Sequence, residues 1–329
     1  MRAVITAVGH FVSDRKLTNN EIEKMVDTND DWIISRTGIK ERRILDKGIG
    51  TSYMAVKAAN QVLEQKNISA QELDLIIVAT VTPDMLVPAT VAFVQKELNA
   101  TNCWGFDLNG GCTGFVCALA TASQFIETGK CQKVLVIGSD KMSAITDYED
   151  RNTCILFGDA AGAVLIEPLQ DENYGIMDFM LHLNGEGHKY LNIPAGGSLE
   201  PASHKTVDNK MHYLRQDGRA VFKQAVTHMA SVTEKIMKKY DFTGKDIKFL
   251  IPHQANYRII DAVAKKLKLD KNQVIINIEK YGNTTAASIP LALSEANMEK
   301  KIKKGDLIIL SAFGAGFTWG SLLLRWGVD

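Results

Sequence analysis

DLNGGCTGF, residues 107–115, sets one cysteine behind two glycines and two residues ahead of a third. The sequence changes pattern at this point. Residues 103–108 form a short apolar run of the kind that makes a buried strand. Beyond the cysteine, Phe115, Leu119, Ala122 and Ile126 recur at helical spacing, which predicts an amphipathic helix with one buried face. Cys112 therefore stands at a turn from strand to helix. Glycines there permit tight backbone angles and leave room for a ligand. The first N–H groups of a helix point at whatever precedes it, and the helix dipole favours a thiolate. A small buried residue in a crowded turn accounts for the same nine residues equally well.

Working outward, strand-like and helix-like runs alternate, which indicates α/β architecture. The first half has a strand-like run at 73–80, a helix-like run at 90–98, the cysteine turn with its helix, and a strand-like run at 133–138. The second half has strand-like 248–252, helix-like 257–267 and strand-like 274–278. The turn YGNTTAAS (281–288) then leads a helix-like segment to Asn297, followed by strand-like 306–311. Leu75 corresponds to Phe249, Cys112 to Asn283 and Val134 to Leu307 at a nearly constant offset, with little identity between the halves. The pattern predicts an internal duplication into halves 1–170 and 171–329, with the boundary near 168–175. Cys112 and Asn283 then occupy equivalent turns, which pseudo-symmetry brings together where the halves meet. Residues 182–217, rich in Gly, Asn and His, break the rhythm and read as a long excursion with little regular structure.

Composition excludes several classes of function. The 329 residues balance 38 basic against 38 acidic side chains, so bulk charge points to neither nucleic acid nor a membrane surface. No apolar run is long enough to span a bilayer, and the N-terminal residues do not form a signal peptide. The 5 cysteines are odd in number and contain no CxxC pair, so neither a disulfide framework nor a zinc site is indicated. A reducing, cytoplasmic setting follows.

Three stretches are candidates for chemistry: GGCTGF around Cys112, IPHQAN around His253 and YGNTTAAS around Asn283. A lone histidine at a strand end is usually structural, and a lone Gly-Asn pair is usually only a turn. At matched points of a duplicated fold they become a Cys–His–Asn set. Two chemistries use such a set. In a cysteine hydrolase, histidine is the base and asparagine orients it. In decarboxylative carbon–carbon bond formation, histidine and asparagine donate to a thioester oxygen and stabilise an enolate.

The whole chain resembles the β-ketoacyl-acyl-carrier-protein synthase III family of thiolase-fold condensing enzymes. The resemblance rests on six stretches: DDWIISRTGIKERR (30–43), DLNGGCTGF, DRNTCILFGDAAGAV (150–164), IPHQANYRI (251–259), YGNTTAASIP (281–290) and SAFGAGFTWG (311–320). It implies a thiolase-like fold of two pseudo-symmetric α/β halves layered α-β-α-β-α. The first half would carry the nucleophilic cysteine, and the second the histidine and asparagine. The implied reaction joins an acyl-coenzyme A primer to malonyl-acyl-carrier protein with loss of CO2, the first condensation of type II fatty acid synthesis. No permanently bound cofactor is implied; the partners are acyl-coenzyme A, an acidic acyl carrier protein and a second copy of the chain. A degradative thiolase needs a second cysteine in the C-terminal half, and none follows Cys154.

Carried over by position, the resemblance assigns catalysis to Cys112, His253 and Asn283, and an oxyanion hole to the N–H groups of Cys112 and Ala315. Relatives often have glycine at the latter position, and Gly111 stands where alanine is commoner. Coenzyme A binding falls to Thr28, Trp32, Arg36, Arg151, Gly218, Phe222, Ala255 and Asn256, with Trp32 and Arg151 suited to sandwich an adenine. The acyl pocket takes Met142, Phe157 and Leu214, closed by Val87 of a partner subunit. A valine there is expected to admit primers longer or more branched than acetyl. Lys223 and Arg258 match carrier-protein docking positions; Lys265, Lys266 and Lys268 extend that basic face or form a solvated helix surface.

Overall fold

The computed structural model describes residues 1–328. A five-stranded and a four-stranded sheet carry the fold. The first holds β1 (Arg2–Phe11), β2 (Leu75–Ala79), β3 (Trp104–Leu108), β4 (Val134–Lys141) and β5 (Asp159–Leu169), in the order β1-β5-β4-β2-β3. The second holds β6 (Gly175–Leu183), β7 (Phe249–Pro252), β8 (Leu307–Gly314) and β9 (Thr318–Arg325), in the order β7-β8-β9-β6. In the first sheet β2 and β4 pair parallel, and β4–β5 and β5–β1 antiparallel. In the second, β7–β8 pair parallel, and β8–β9 and β9–β6 antiparallel. The same four-strand plan thus occurs twice. Leu75 and Phe249 each open the corresponding strand, as do Val134 and Leu307.

The main helices are α1 (Asp30–Thr37), α2 (Thr51–Lys66), α3 (Thr90–Glu97), α4 (Gly114–Glu127), α5 (Gly218–Lys239), α6 (Tyr257–Lys266) and α7 (Ser288–Met298). The period of the strands decides the layering. Leu75, Ile77, Val134 and Val136 face one way, into a core shared with Phe115 and Leu119 of α4, Ile289 and Leu293 of α7, and Ile251 and Leu310 of the second sheet. The alternate residues Ile76, Val78, Leu135 and Ile137 face the other way, against α2. On the far side, α5 and α6 cover the second sheet. The order of layers is therefore α-β-α-β-α, with α4 and α7 in the middle.

Four local expectations need correction. First, α4 is not buried on one face only. It lies between two sheets, and nine of its residues, from Gly114 to Ile126, are buried. Second, the run ending at Leu108 is not a buried strand. β3 is the edge of its sheet, and Trp104 is 48% exposed. Third, residues 274–278 make one isolated bridge, Leu250 to Val274, and no strand. There the Gln254 side chain replaces a strand neighbour, donating to Ile275 O and accepting from Asn277 N. Fourth, the irregular excursion begins later, because β6 runs to Leu183. Beyond it come only short pieces, the longest two of five residues each, Gly185–Lys189 and His204–Asp208.

Candidate active site

The middle layer positions the site. α4 and α7 begin at equivalent places, and the turns before them carry Cys112 and Asn283. The third wall is the loop after β8. A Cβ on Gly314 would lie 2.6 Å from Cys112 N and 2.9 Å from its Cβ, so only glycine lets the loop close on Cys112. Thr318 Oγ1 donates to Gly110 O at 3.1 Å and locks loop and turn together. The excursion holds the loop from outside. Asn184 N donates to Phe317 O at 2.8 Å, and Phe317 N donates back to Asn184 O at 2.6 Å.

These parts enclose a cavity of about 1120 Å3 lined by Cys112, His253, Asn283 and Ala315. Cys112 shows the cavity part of its surface, but its thiol lies deep on the floor. Burial, reinforced by the negative charge of Asp140, pushes the thiol up to about 12. Burial thus favours the thiol as the resting form and works against the thiolate expected from the helix start. His253 follows the apolar strand β7, and its backbone N–H donates to Ser311 O at 2.8 Å. Its Nδ1 lies 2.7 Å from Ser288 Oγ, while Nε2 is buried with no partner among the described residues. Burial pulls the imidazole down to about 3, so the ring is neutral at physiological pH.

Asn283 is fixed by its backbone, which donates to Leu156 O at 2.8 Å and accepts from Gly158 N at 3.1 Å. Its Oδ1 accepts from Thr285 N at 2.9 Å, which leaves the Nδ2 end as the free donor. Thr285 adopts φ 51, a left-handed angle uncommon for a β-branched residue, to deliver that N–H. The arrangement brings a neutral imidazole, a free amide donor and a thiol to one cavity.

Residues 106–185 match the family described as 3-oxoacyl-acyl-carrier-protein synthase III, and residues 237–326 match its C-terminal region. A β-ketoacyl-acyl-carrier-protein synthase III of Koribacter versatilis is 54% identical over 99% of this chain and 98% of its own. This chain belongs to the β-ketoacyl-acyl-carrier-protein synthase III family. The family member of Chlorobaculum tepidum is 51% identical over 99% of this chain and 100% of its own. Among solved structures, the synthase III of Aquifex aeolicus superposes with a TM-score of 0.91 at 44% identity, covering 98% of this chain and 100% of that one.

Most residues assigned by resemblance to this synthase family meet at the cavity. Trp32, Arg36, Gly218, Phe222, Ala255 and Asn256 line its mouth. The Arg151 guanidinium rests 4.5 Å from the Trp32 ring centre, so an inserted base has to displace it. Arg151 itself and Thr28 stand outside the lining; Thr28 Oγ1 and Arg151 Nε are buried without partners. Met142, Phe157 and Leu214 form part of the inner wall. Val87 does not reach the cavity of its own chain and is 83% exposed. Arg258 stands at the rim with its guanidinium over Phe222 at 5.6 Å, and Lys223 is exposed one residue further along α5. Lys265 instead pairs with Asp261 at 2.6 Å on its own helix, as a solvated surface would.

Sequence reading missed Thr285, Ser288 and the excursion residues Leu191 and Ile193, which join the inner wall. Ser288 closes the quoted YGNTTAAS motif, so a signal for it exists. Nothing in the irregular excursion marks Ile193.

Proposed function

We infer that this chain is a β-ketoacyl-acyl-carrier-protein synthase III. It condenses an acyl-coenzyme A primer with malonyl-acyl-carrier protein, giving 3-oxoacyl-acyl-carrier protein, CO2 and coenzyme A. This is the first condensation of type II fatty acid synthesis. The observation that carries the reading is the convergence of Cys112, His253 and Asn283 on one cavity, in a chain of this family.

The residue roles are carried over from the family resemblance, and the geometry supports them. Cys112 Sγ attacks the primer thioester, the bond to the coenzyme A sulfur breaks, and the thiol proton ends on coenzyme A. Malonyl-acyl-carrier protein then enters. His253 and Asn283 donate to its thioester oxygen while the carbon–carboxylate bond breaks and its electrons form the enolate. The enolate carbon attacks the acyl-cysteine. The oxyanion of the tetrahedral intermediate is held by the N–H groups of Cys112 and Ala315. Collapse releases the Cys112 thiolate, which takes a proton from water. Neutral histidine suits this scheme, since it donates without being a base.

The finer reading assigns coenzyme A to Thr28, Trp32, Arg36, Arg151, Gly218, Phe222, Ala255 and Asn256. It assigns carrier-protein docking to exposed Lys223 and Arg258, and primer contact to Met142, Phe157 and Leu214. It treats 1–170 and 171–329 as the two duplicated halves, and a homodimer as the functional unit. It also places the enzyme in the cytoplasm; all five cysteines are free, and among the described residues no helix is long and apolar enough to cross a membrane.

The test is intact-protein mass after incubation with a panel of acyl-coenzyme A species, with Cys112→Ala as control. An adduct absent from the variant, and discharged by malonyl-acyl-carrier protein into a β-ketoacyl product, is the expected result. An adduct that only water discharges would make the protein a hydrolase.

A further inference from the structure

The motif YGNTTAAS has so far contributed only its asparagine and the Thr285 N–H. Its last residue, Ser288, is the first residue of α7 and is 1% exposed. Its Oγ lies 2.7 Å from His253 Nδ1, and this is the only hydrogen bond of that hydroxyl among the described residues. On the other side of the ring, Nε2 is buried, lacks a partner and belongs to a residue lining the cavity.

Two proton arrangements are open to a neutral ring beside a hydroxyl. If Nδ1 carried the proton, it would donate to Ser288 Oγ. The hydroxyl proton would then have no acceptor, and Nε2 would face the cavity as a bare lone pair. If Ser288 donates instead, every group on that side is satisfied and Nε2 carries the proton. Only the second arrangement provides a donor to a thioester oxygen. We propose that Ser288 is a positioning residue that holds His253 as the Nε2–H tautomer. The inference rests on the donor role assigned to His253 above.

This placement gives α7 a second task. The segment 283–288 presents Asn283 Nδ2 directly and sets the His253 proton through Ser288. The Ser288 backbone N–H donates to Thr285 O, while Thr285 N orients Asn283. Both donors for the decarboxylation are thus governed from one turn, whereas the acylation of Cys112 makes no use of it.

The experiment separates the half-reactions in the full-length enzyme, using Ser288→Ala, Ser288→Thr and His253→Ala. Acylation is followed by intact mass with the best primer, and decarboxylation by CO2 release from malonyl-acyl-carrier protein. Removing a tautomer-fixing group is expected to slow CO2 release about tenfold to hundredfold in Ser288→Ala, with acylation nearly unchanged. Ser288→Thr, which keeps the hydroxyl, should recover most of the rate. Nitrogen-15 spectra of histidine-labelled enzyme should place the His253 proton on Nε2 in wild type and on a mixture of both nitrogens in Ser288→Ala. Unchanged CO2 release or an unchanged His253 spectrum in Ser288→Ala would overturn the proposal, as would equal loss in both half-reactions. If His253→Ala also released CO2 at the wild-type rate, the donor role of His253 would fall with it. Poor folding of Ser288→Thr would leave the alanine variant and the spectra to decide.

Discussion

Gly111 and Ala315 face each other beside Cys112, and only one of them carries a methyl group. A Cβ on Gly111 would lie 3.1 Å from Ala315 N, 3.4 Å from its O and 3.5 Å from its Cβ. Gly111 also sits at φ 57, a left-handed angle at which alanine is strained. Ala315 has no positive φ, so its own methyl is tolerated. The contact has room for one methyl, and displacing Ala315 would move the N–H assigned to the oxyanion. Gly111→Ala is therefore expected to cost about 1–2 kcal/mol of stability and to lower the condensation rate. Adding Ala315→Gly should return part of both losses, measured by urea unfolding and steady-state turnover. Strictly additive effects would mean that the two residues do not share the space. Sequence alone marks both positions as departures from the commoner residues of the family, but their contact is invisible there. Cys112, His253 and Asn283 are legible because each closes a strand or opens a helix with glycine or proline beside it. Ser288 and Ile193 act through tertiary neighbours and leave weaker traces.

Among the elements, the junction between β2, β4 and the turn before α7 is held by one buried carboxylate. Asp140 Oδ1 accepts from Thr80 Oγ1, Val81 N, Thr82 N and Thr82 Oγ1, while Oδ2 accepts from Ala286 N at 3.0 Å. The last bond reaches across to the segment that carries Asn283. Burial pushes Asp140 from 3.8 up to about 6 despite these donors. The native state thus binds this proton more readily than the unfolded chain, and the group loses stabilising effect as pH rises through that window. His253 has the opposite sign. Its pKa falls from 6.5 to about 3, so the unfolded state binds more protons between those values and acidification destabilises the fold. The two slopes oppose each other in wild type. Asp140→Asn removes one of them and also turns an amide N–H2 towards Ala286 N–H, an unmet donor pair that costs about 1–3 kcal/mol. The variant should therefore be less stable at neutral pH and lose stability more steeply on acidification from about pH 6 to 4. Thermal melts of both proteins across that range check the sign, and parallel curves would count against it. The strands themselves are legible as apolar runs, because parallel strands covered on both faces are apolar throughout. Residues 274–278 have the same composition and make no strand, because Gln254 binds the backbone that a neighbouring strand would otherwise pair.

For the molecule as a whole, the duplication accounts for most of the fold, and the first sheet has one strand that the second lacks. That strand, β3, is an edge with Trp104 half exposed, and beside it lies a loop with three consecutive exposed apolar residues. Met85, Leu86 and Val87 are 55%, 82% and 83% exposed. Asp107 of β3 accepts from Thr90 N and Val91 N at the start of α3, which anchors that loop against the strand. An unpaired edge and an apolar loop on one surface favour pairing with a second copy about a two-fold axis. In the homodimer proposed above, Val87, which misses its own cavity, would close that of the other subunit. On that proposal the size of residue 87 would set the depth of the acyl pocket, whose remaining inner wall includes Met142, Phe157, Leu214 and Ile193. Val87→Phe adds a ring at the pocket end and should shift the ratio of kcat/KM values towards acetyl-coenzyme A over longer or branched primers. One or two excluded methylenes correspond to about tenfold or more in that ratio. The change must appear in the dimer and leave decarboxylation of malonyl-acyl-carrier protein by the acetylated enzyme intact, since residue 87 is assigned to primer contact and not to the donors. An unchanged ratio in a protein that still dimerises would transfer the control of primer length to the excursion side of the pocket, at Leu191 and Ile193.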